Sequence, residues 1–214
     1  LLTLTILLGL GMTFLVSRLL SATVLKGVPS SFTLELPPYR RPQLGKVLIR
    51  SVFDRTLFVL GRAITVAAPA GILLWVMANV GIQGQSLLAW ASGFLDPLGR
   101  FMGLDGGILI AFILGFPANE IVIPIIIMAY MANGSLIEMS SLSAMKSLFL
   151  AQGWTLTTAV CTLIFVLFHW PCSTTCLTVY KETRSIKWTV AAILIPTVCG
   201  VVCCSLAALI LRLF

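Results

Sequence analysis

Apolar residues dominate this chain in five long runs. They cover roughly Leu2 to Leu25, Thr56 to Val80, Gly106 to Met131, Leu148 to Trp170 and Trp188 to Phe214. Each is long enough for the span of about 20 residues that a helix needs to cross a bilayer. The pattern therefore predicts an all-α, polytopic transmembrane helical bundle. Residues 86–102 are also largely apolar, but Asp96, Pro97 and Arg100 interrupt them too often for a confident span. Between the first two runs the character changes. Pro29, Pro37, Pro38 and Pro42 make a stiff, extended connector. From Gln43 to Phe58, Leu44, Val47, Leu48 and Val52 oppose Lys46, Arg50 and Asp54. That spacing predicts an amphipathic helix lying in the membrane interface. Three parts follow: a transmembrane helix over 1–25, a cytoplasmic connector with its amphipathic helix over 26–55, and a membrane domain over 56–214.

Composition excludes the soluble alternative. The 214 residues are 59% hydrophobic and only 10% charged, with a mean hydropathy of +1.08, far from an ordinary globular domain. The formal charge of +7 would point to nucleic acid in a soluble protein. Here the Lys and Arg residues cluster in loops beside apolar runs, so the lipid bilayer is the expected partner and nucleic acid is not. Trp75, Trp90, Trp154, Trp170 and Trp188 fall mostly toward run ends, where an aromatic belt would place them. Cys161, Cys199, Cys203 and Cys204 sit within apolar runs and are expected to be reduced packing residues. The chain opens directly in an apolar run without an initiator Met, and is expected to be part of a longer polypeptide.

Two polar interruptions carry the candidate chemistry. Gly115-Phe-Pro-Ala-Asn-Glu120 lies inside the third run, and His169-Trp-Pro-Cys-Ser-Thr-Thr175 ends the fourth. Proline breaks a helix and leaves backbone carbonyls to be satisfied by protein, water or a cation. An intramembrane carboxylate is expensive and marks a functional site by default. In the first motif the half-helix is expected to end with open carbonyls near Leu114 to Phe116. Asn119 is expected to cap the second half, with Glu120 in its first turn. The competing reading of Glu120, an ion pair with Arg62 or Arg18, stays open. In the second motif Pro171 stops one helix and Ser173 or Thr174 caps the next, placing Cys172 at a helix N-terminus that favours thiolate. Cysteine, histidine and carboxylate donors suit a late first-row divalent metal rather than Mg²⁺ or Ca²⁺. The candidate metal set is Cys172, Glu120, Asn119, Ser173 and Cys176. His169 reads better as an interfacial histidine beside Trp170 than as a ligand.

Basic loops bear on topology. The stretch 26–55 carries Lys26, Arg40, Arg41, Lys46, Arg50 and Arg55, while Lys181, Arg184 and Lys187 follow the fourth run. Both belong on the cytoplasmic side. Three full crossings between them would separate the two loops. If the third run is a re-entrant hairpin folded at Gly115–Glu120, two crossings remain and both loops stay inside. A single kinked helix is the alternative. No catalytic residues are assigned, because nothing orients Cys172 and His169 as nucleophile and base. No Gly-x-x-x-x-Gly-Lys-Ser/Thr sequence is present, so this chain is not expected to be an enzyme acting on nucleotides.

At these residues the chain resembles the membrane part of ferrous iron transport protein B, the FeoB family. The matching stretches are Glu35-Leu-Pro-Pro-Tyr-Arg-Arg-Pro42, Gly115-Phe-Pro-Ala-Asn-Glu120 and His169-Trp-Pro-Cys-Ser-Thr-Thr175, then Lys181-Glu-Thr183 and Lys187-Trp188. Their order and spacing agree across nearly the whole chain. The resemblance implies a multi-pass protein of the bacterial inner membrane that carries Fe²⁺ as transported substrate. It implies an N-terminal GTPase domain, binding GTP and Mg²⁺, and a first Gate repeat, both outside this chain, which matches the second Gate repeat. It also implies that Cys172 contacts iron. A homo-oligomer is a further expectation; a Gate-type carrier of another solute such as a nucleoside, and an assembly half with no ligand of its own, are the alternatives to iron transport.

Overall fold

The computed structural model describes residues 2–23, 45–46, 49, 53, 56–82, 84–131 and 141–213. It divides into two compact units, Leu1–Leu60 and Gly61–Phe214. The expected connector and nearly all of the amphipathic helix lie outside the described residues. In the first unit, α1 (Leu2–Thr23) is a continuous apolar helix. Thr13 and Thr23 donate their hydroxyls to carbonyls one turn back, so neither leaves an open polar group on its surface.

Among its described residues, the second unit is helical apart from turns and one small ribbon. After α2 (Phe58–Asn79), which contains Pro69, β1 (Gly81–Ile82) pairs antiparallel with β2 (Gln85–Ser86), a feature the apolar pattern did not announce. The Ser86 hydroxyl accepts from the Ala89 amide and starts α3 (Leu87–Phe101). Pro97 lies within α3 without ending it. Then α4 (Gly106–Leu114) departs at 110° to α3. The corner is tight because glycine occupies it. A Cβ on Gly106 would stand 1.8 Å from the Ser92 carbonyl oxygen, and Gly103 takes a positive φ of 75°.

Beyond a 3₁₀ turn at Asn119–Ile121, α5 (Val122–Met131) returns alongside α4. The Tyr130 hydroxyl, near the end of α5, bonds Asp105 Oδ2 at the start of α4. A Cβ on Gly107 would meet the Tyr130 ring at 3.0 Å. The third apolar run is therefore folded back on itself at Gly115–Glu120, the hairpin form rather than one kinked helix. Both legs are core: Ile108, Ala111, Phe112, Ile125, Ile126, Ile127 and Met128 are all buried.

The fourth run differs from expectation. It does not span from Leu148 to Trp170. Instead α6 (Leu142–Ala151) ends in a turn at Gly153, whose φ is +83°. Thr155 then caps a new helix, α7 (Leu156–Phe168). After Pro171 the chain continues as α8 (Ser173–Thr183), and Leu156–Thr183 together form a candidate membrane span. Arg184 closes α8 in the left-handed region, at φ 51°, and α9 (Ile186–Leu213) runs back along α7 and α8. The Cys161 thiol donates to the Cys204 carbonyl at 3.7 Å, and the Cys204 thiol returns to the Cys161 carbonyl at 3.3 Å. These cysteines are free, as are the other four. Among the described residues three helical segments, α1, α7 with α8, and α9, are long and apolar enough to cross a membrane, or four if the bent α3–α4 pair counts as one span. Leu206, Leu209, Ile210 and other large side chains of α9 are exposed, as suits a face that meets lipid or another apolar surface.

Candidate functional site

The two broken-helix motifs, about fifty residues apart in sequence, touch. The Ser173 amide donates to the Phe116 carbonyl at 2.9 Å, and its hydroxyl donates to the Pro117 carbonyl at 3.4 Å. The tip of the α4–α5 hairpin thus sits on the break between α7 and α8. That break lies midway along a 28-residue span, which at 1.5 Å per residue is about 42 Å long. The rings reinforce the contact, with Phe112 of α4 lying 5.1 Å from His169 and 4.8 Å from Phe165.

This contact changes what is available to bind. The carbonyls expected to be open at the first break are largely closed: Gly115 O accepts from the Ala118 amide, and Phe116 O from Ser173. Asn119 does not cap the second half either. Ala118, with extended backbone, holds the cap position and makes no side-chain cap bond. The physical reason is that Asn119 already belongs to the 3₁₀ turn, so its side chain is carried past the amides it would need to reach. Its Oδ1 is enclosed without a hydrogen-bond partner.

Cys172 is the N-cap residue of α8, one position before the predicted caps. It is half-buried, with Sγ 3.1 Å from Thr174 Oγ1 and 3.2 Å from Thr175 Oγ1. Ser173 is buried, and both its donors are spent on the hairpin tip. Cys176 is buried one turn further on, its thiol directed to the Pro171 carbonyl at 3.5 Å. Glu120 is exposed and makes no ion pair with another described residue. No three His, Cys, Asp or Glu side chains converge among the described residues to form a metal cage.

At the open end of the hairpin lies a polar knot that sequence reasoning passed over. Asp105 caps α4 through Oδ1, which accepts from the Ile108 amide at 2.7 Å, while Oδ2 meets the Tyr130 hydroxyl. Trp154 Nε1 donates to the same hydroxyl at 2.8 Å, and Gln152 Nε2 donates to the Tyr130 carbonyl at 3.3 Å. Nearby, Asp96 Oδ1 accepts from the Gly106 amide at 3.3 Å, and Asp96 Oδ2 pairs with Arg100 at 2.6 Å. Asp105 directly before an apolar Gly-Gly run was a legible cap signal. The partners Tyr130 and Trp154 were not legible, because folding alone brings them there.

Residues 60–186 match the family model described as Gate, nucleoside recognition, and residues 2–54 match that of the ferrous iron transport protein B C terminus. The chain belongs to the FeoB family, as part of its membrane region. The Fe(2+) transporter FeoB of Staphylococcus aureus (strain MSSA476) is 30% identical over 201 residues, covering 89% of this chain and 28% of its own length. That of Leptospira interrogans (strain Fiocruz L1-130) is 28% identical over 207 residues, covering 85% of this chain and 29% of its own. The Synechocystis Fe(2+) transporter FeoB is 29% identical over 170 residues, covering 78% and 26%. This FeoB-family chain therefore spans little more than a quarter of the curated relatives it matches. No solved structure matches it.

Proposed function

We propose that this chain forms one half of the pathway by which a bacterial cytoplasmic-membrane permease takes up Fe²⁺, the GTP-binding part lying elsewhere in the protein. The observation that carries this reading is the seating of the hairpin tip on the α7–α8 break through Ser173, Phe116 and Pro117. Broken helices that meet near mid-span are where transporters place substrate sites.

Lys181, Arg184 and Lys187 put the α8–α9 corner in the cytoplasm. The Asp105–Tyr130–Trp154 knot then faces the outside, and the hairpin enters the membrane from that side. Ferrous iron passes the tip and meets Cys172, whose soft thiolate prefers a late first-row metal to Mg²⁺ or Ca²⁺. Asn119 adds an oxygen donor. Glu120 looks outward from the unit, onto a surface that the remainder of the permease would cover. Cys176 and Ser173 shape the break and, with their donors engaged, hold it in register. The full protein lives in lipid and assembles with its own further domains, and with copies of itself. The chain's part is passage of the ion, not catalysis.

The decisive experiment is Fe²⁺ uptake by the native full-length protein carrying Cys172→Ser or Glu120→Gln. Each replacement should abolish most uptake at unchanged protein level. Uptake at the unaltered rate in both variants would defeat the reading. Metal-independent nucleoside exchange would favour instead the activity that the Gate description names.

A further inference from the structure

We infer that His169 is a metal-binding side chain of the α7–α8 break, offering Nε2 to the divalent cation that Cys172 meets. The inference rests on the transport reading above and adds a nitrogen donor to it. His169 is the C-cap residue of α7, and its ring lies between the Phe112 ring at 5.1 Å and the Trp170 ring at 6.3 Å. Nδ1 stands 2.8 Å from the Val166 carbonyl oxygen. A carbonyl can only accept, so Nδ1 carries the proton and Nε2 is left with a lone pair.

That lone pair is enclosed and has no hydrogen-bond partner. An orphaned acceptor of this kind is costly, and a phenylalanine would fill the same aromatic niche without the cost. A ring anchored through one nitrogen, with the other bare, is the arrangement that metal-binding histidines adopt. The anchoring bond fixes both tautomer and ring orientation. The position fits as well. His169 lies three residues before Cys172, and the two residues border the one break on which the hairpin tip rests. Asn119 Oδ1, on that tip, is a second enclosed acceptor without a partner. Since no complete cage exists among the described residues, the imidazole serves an ion in transit. Passage requires sites that bind well enough to admit the ion and weakly enough to release it.

The test is anaerobic Co²⁺ titration of the purified native full-length protein in lipid nanodiscs, followed by absorbance, with thermal midpoints recorded for each variant. His169→Asn keeps a donor for the Val166 carbonyl and removes Nε2; His169→Phe keeps the ring packing and removes both nitrogens. Each should weaken Co²⁺ binding by at least about tenfold, the lower end of the loss seen when even an outer-shell partner of a metal ligand is removed, while Cys172→Ser abolishes the thiolate-to-cobalt absorption. If one His169 variant does not fold, the other decides. Unaltered Co²⁺ affinity in the folded variants overturns the role of His169 even where Cys172→Ser behaves as expected. Affinity restored in His169→Phe but not in His169→Asn also overturns it, since packing alone would then be the role. Unaltered binding and absorption in Cys172→Ser instead overturns the transport reading itself.

Discussion

Replacing Tyr130 by phenylalanine tests the bond that holds the hairpin closed. The ring would stay, so its edge contact with Phe149, at 6.2 Å between centroids, survives. The Gln152 bond also survives, because it goes to the backbone carbonyl. Only the hydroxyl is lost, and with it the contacts to Asp105 Oδ2 and to Trp154 Nε1 at 2.8 Å. A net hydrogen bond is worth about 0.5–1.5 kcal/mol, rising to about 1.5–3 kcal/mol where one partner is charged. Interhelical bonds in membrane proteins average nearer ~0.6 kcal/mol, with a maximum of about 1.7 kcal/mol. Taking the membrane values for two bonds gives a loss of about 1–3 kcal/mol. Reversible unfolding in mixed detergent micelles measures it, and a double-mutant cycle with Trp154→Phe isolates the tyrosine–tryptophan share. Asp105→Asn retains an oxygen for the Ile108 amide and should cost less than Asp105→Ala, which also removes the cap, worth about 1 kcal/mol. A loss below about 0.3 kcal/mol for Tyr130→Phe, with no coupling to Trp154, would refute the claim that this knot closes the hairpin.

Two other expectations are direct. Gly106→Ala places a methyl 1.8 Å from the Ser92 backbone oxygen, so α3 and α4 must part. The loss should reach the upper end of the roughly 1–3 kcal/mol seen for overpacking, and the same micelle titration reads it. For topology, single cysteines at Ser185 and Gln152, in a background without reactive native thiols, should be labelled from opposite sides, Ser185 from the cytoplasm. Labelling of both from one side would contradict the crossing assigned to Leu156–Thr183.

Hydrophobic runs, prolines and basic loops together determined the class of this protein: helical, membrane-spanning, and interrupted at Gly115–Glu120 and His169–Thr175. Those features are legible because bilayer thickness and the demand for paired backbone groups act on sequence locally. Even the hairpin was within reach, since loop charge constrains how many crossings separate two points. Boundaries were less so. The run from Leu148 to Trp170 hid the turn at Gly153, because one glycine between Gln152 and Trp154 does not by itself reveal a positive φ. What only the tertiary structure decided was which groups remain open. Carbonyls that a lone broken helix would expose are satisfied by Ser173, a residue more than fifty positions away. His169 acquires an enclosed and unpartnered nitrogen only in the folded structure, where the Phe112 ring lies 5.1 Å from its own. Whether a polar atom is paired depends on what folding brings within about 3 Å of it, and no local pattern carries that information.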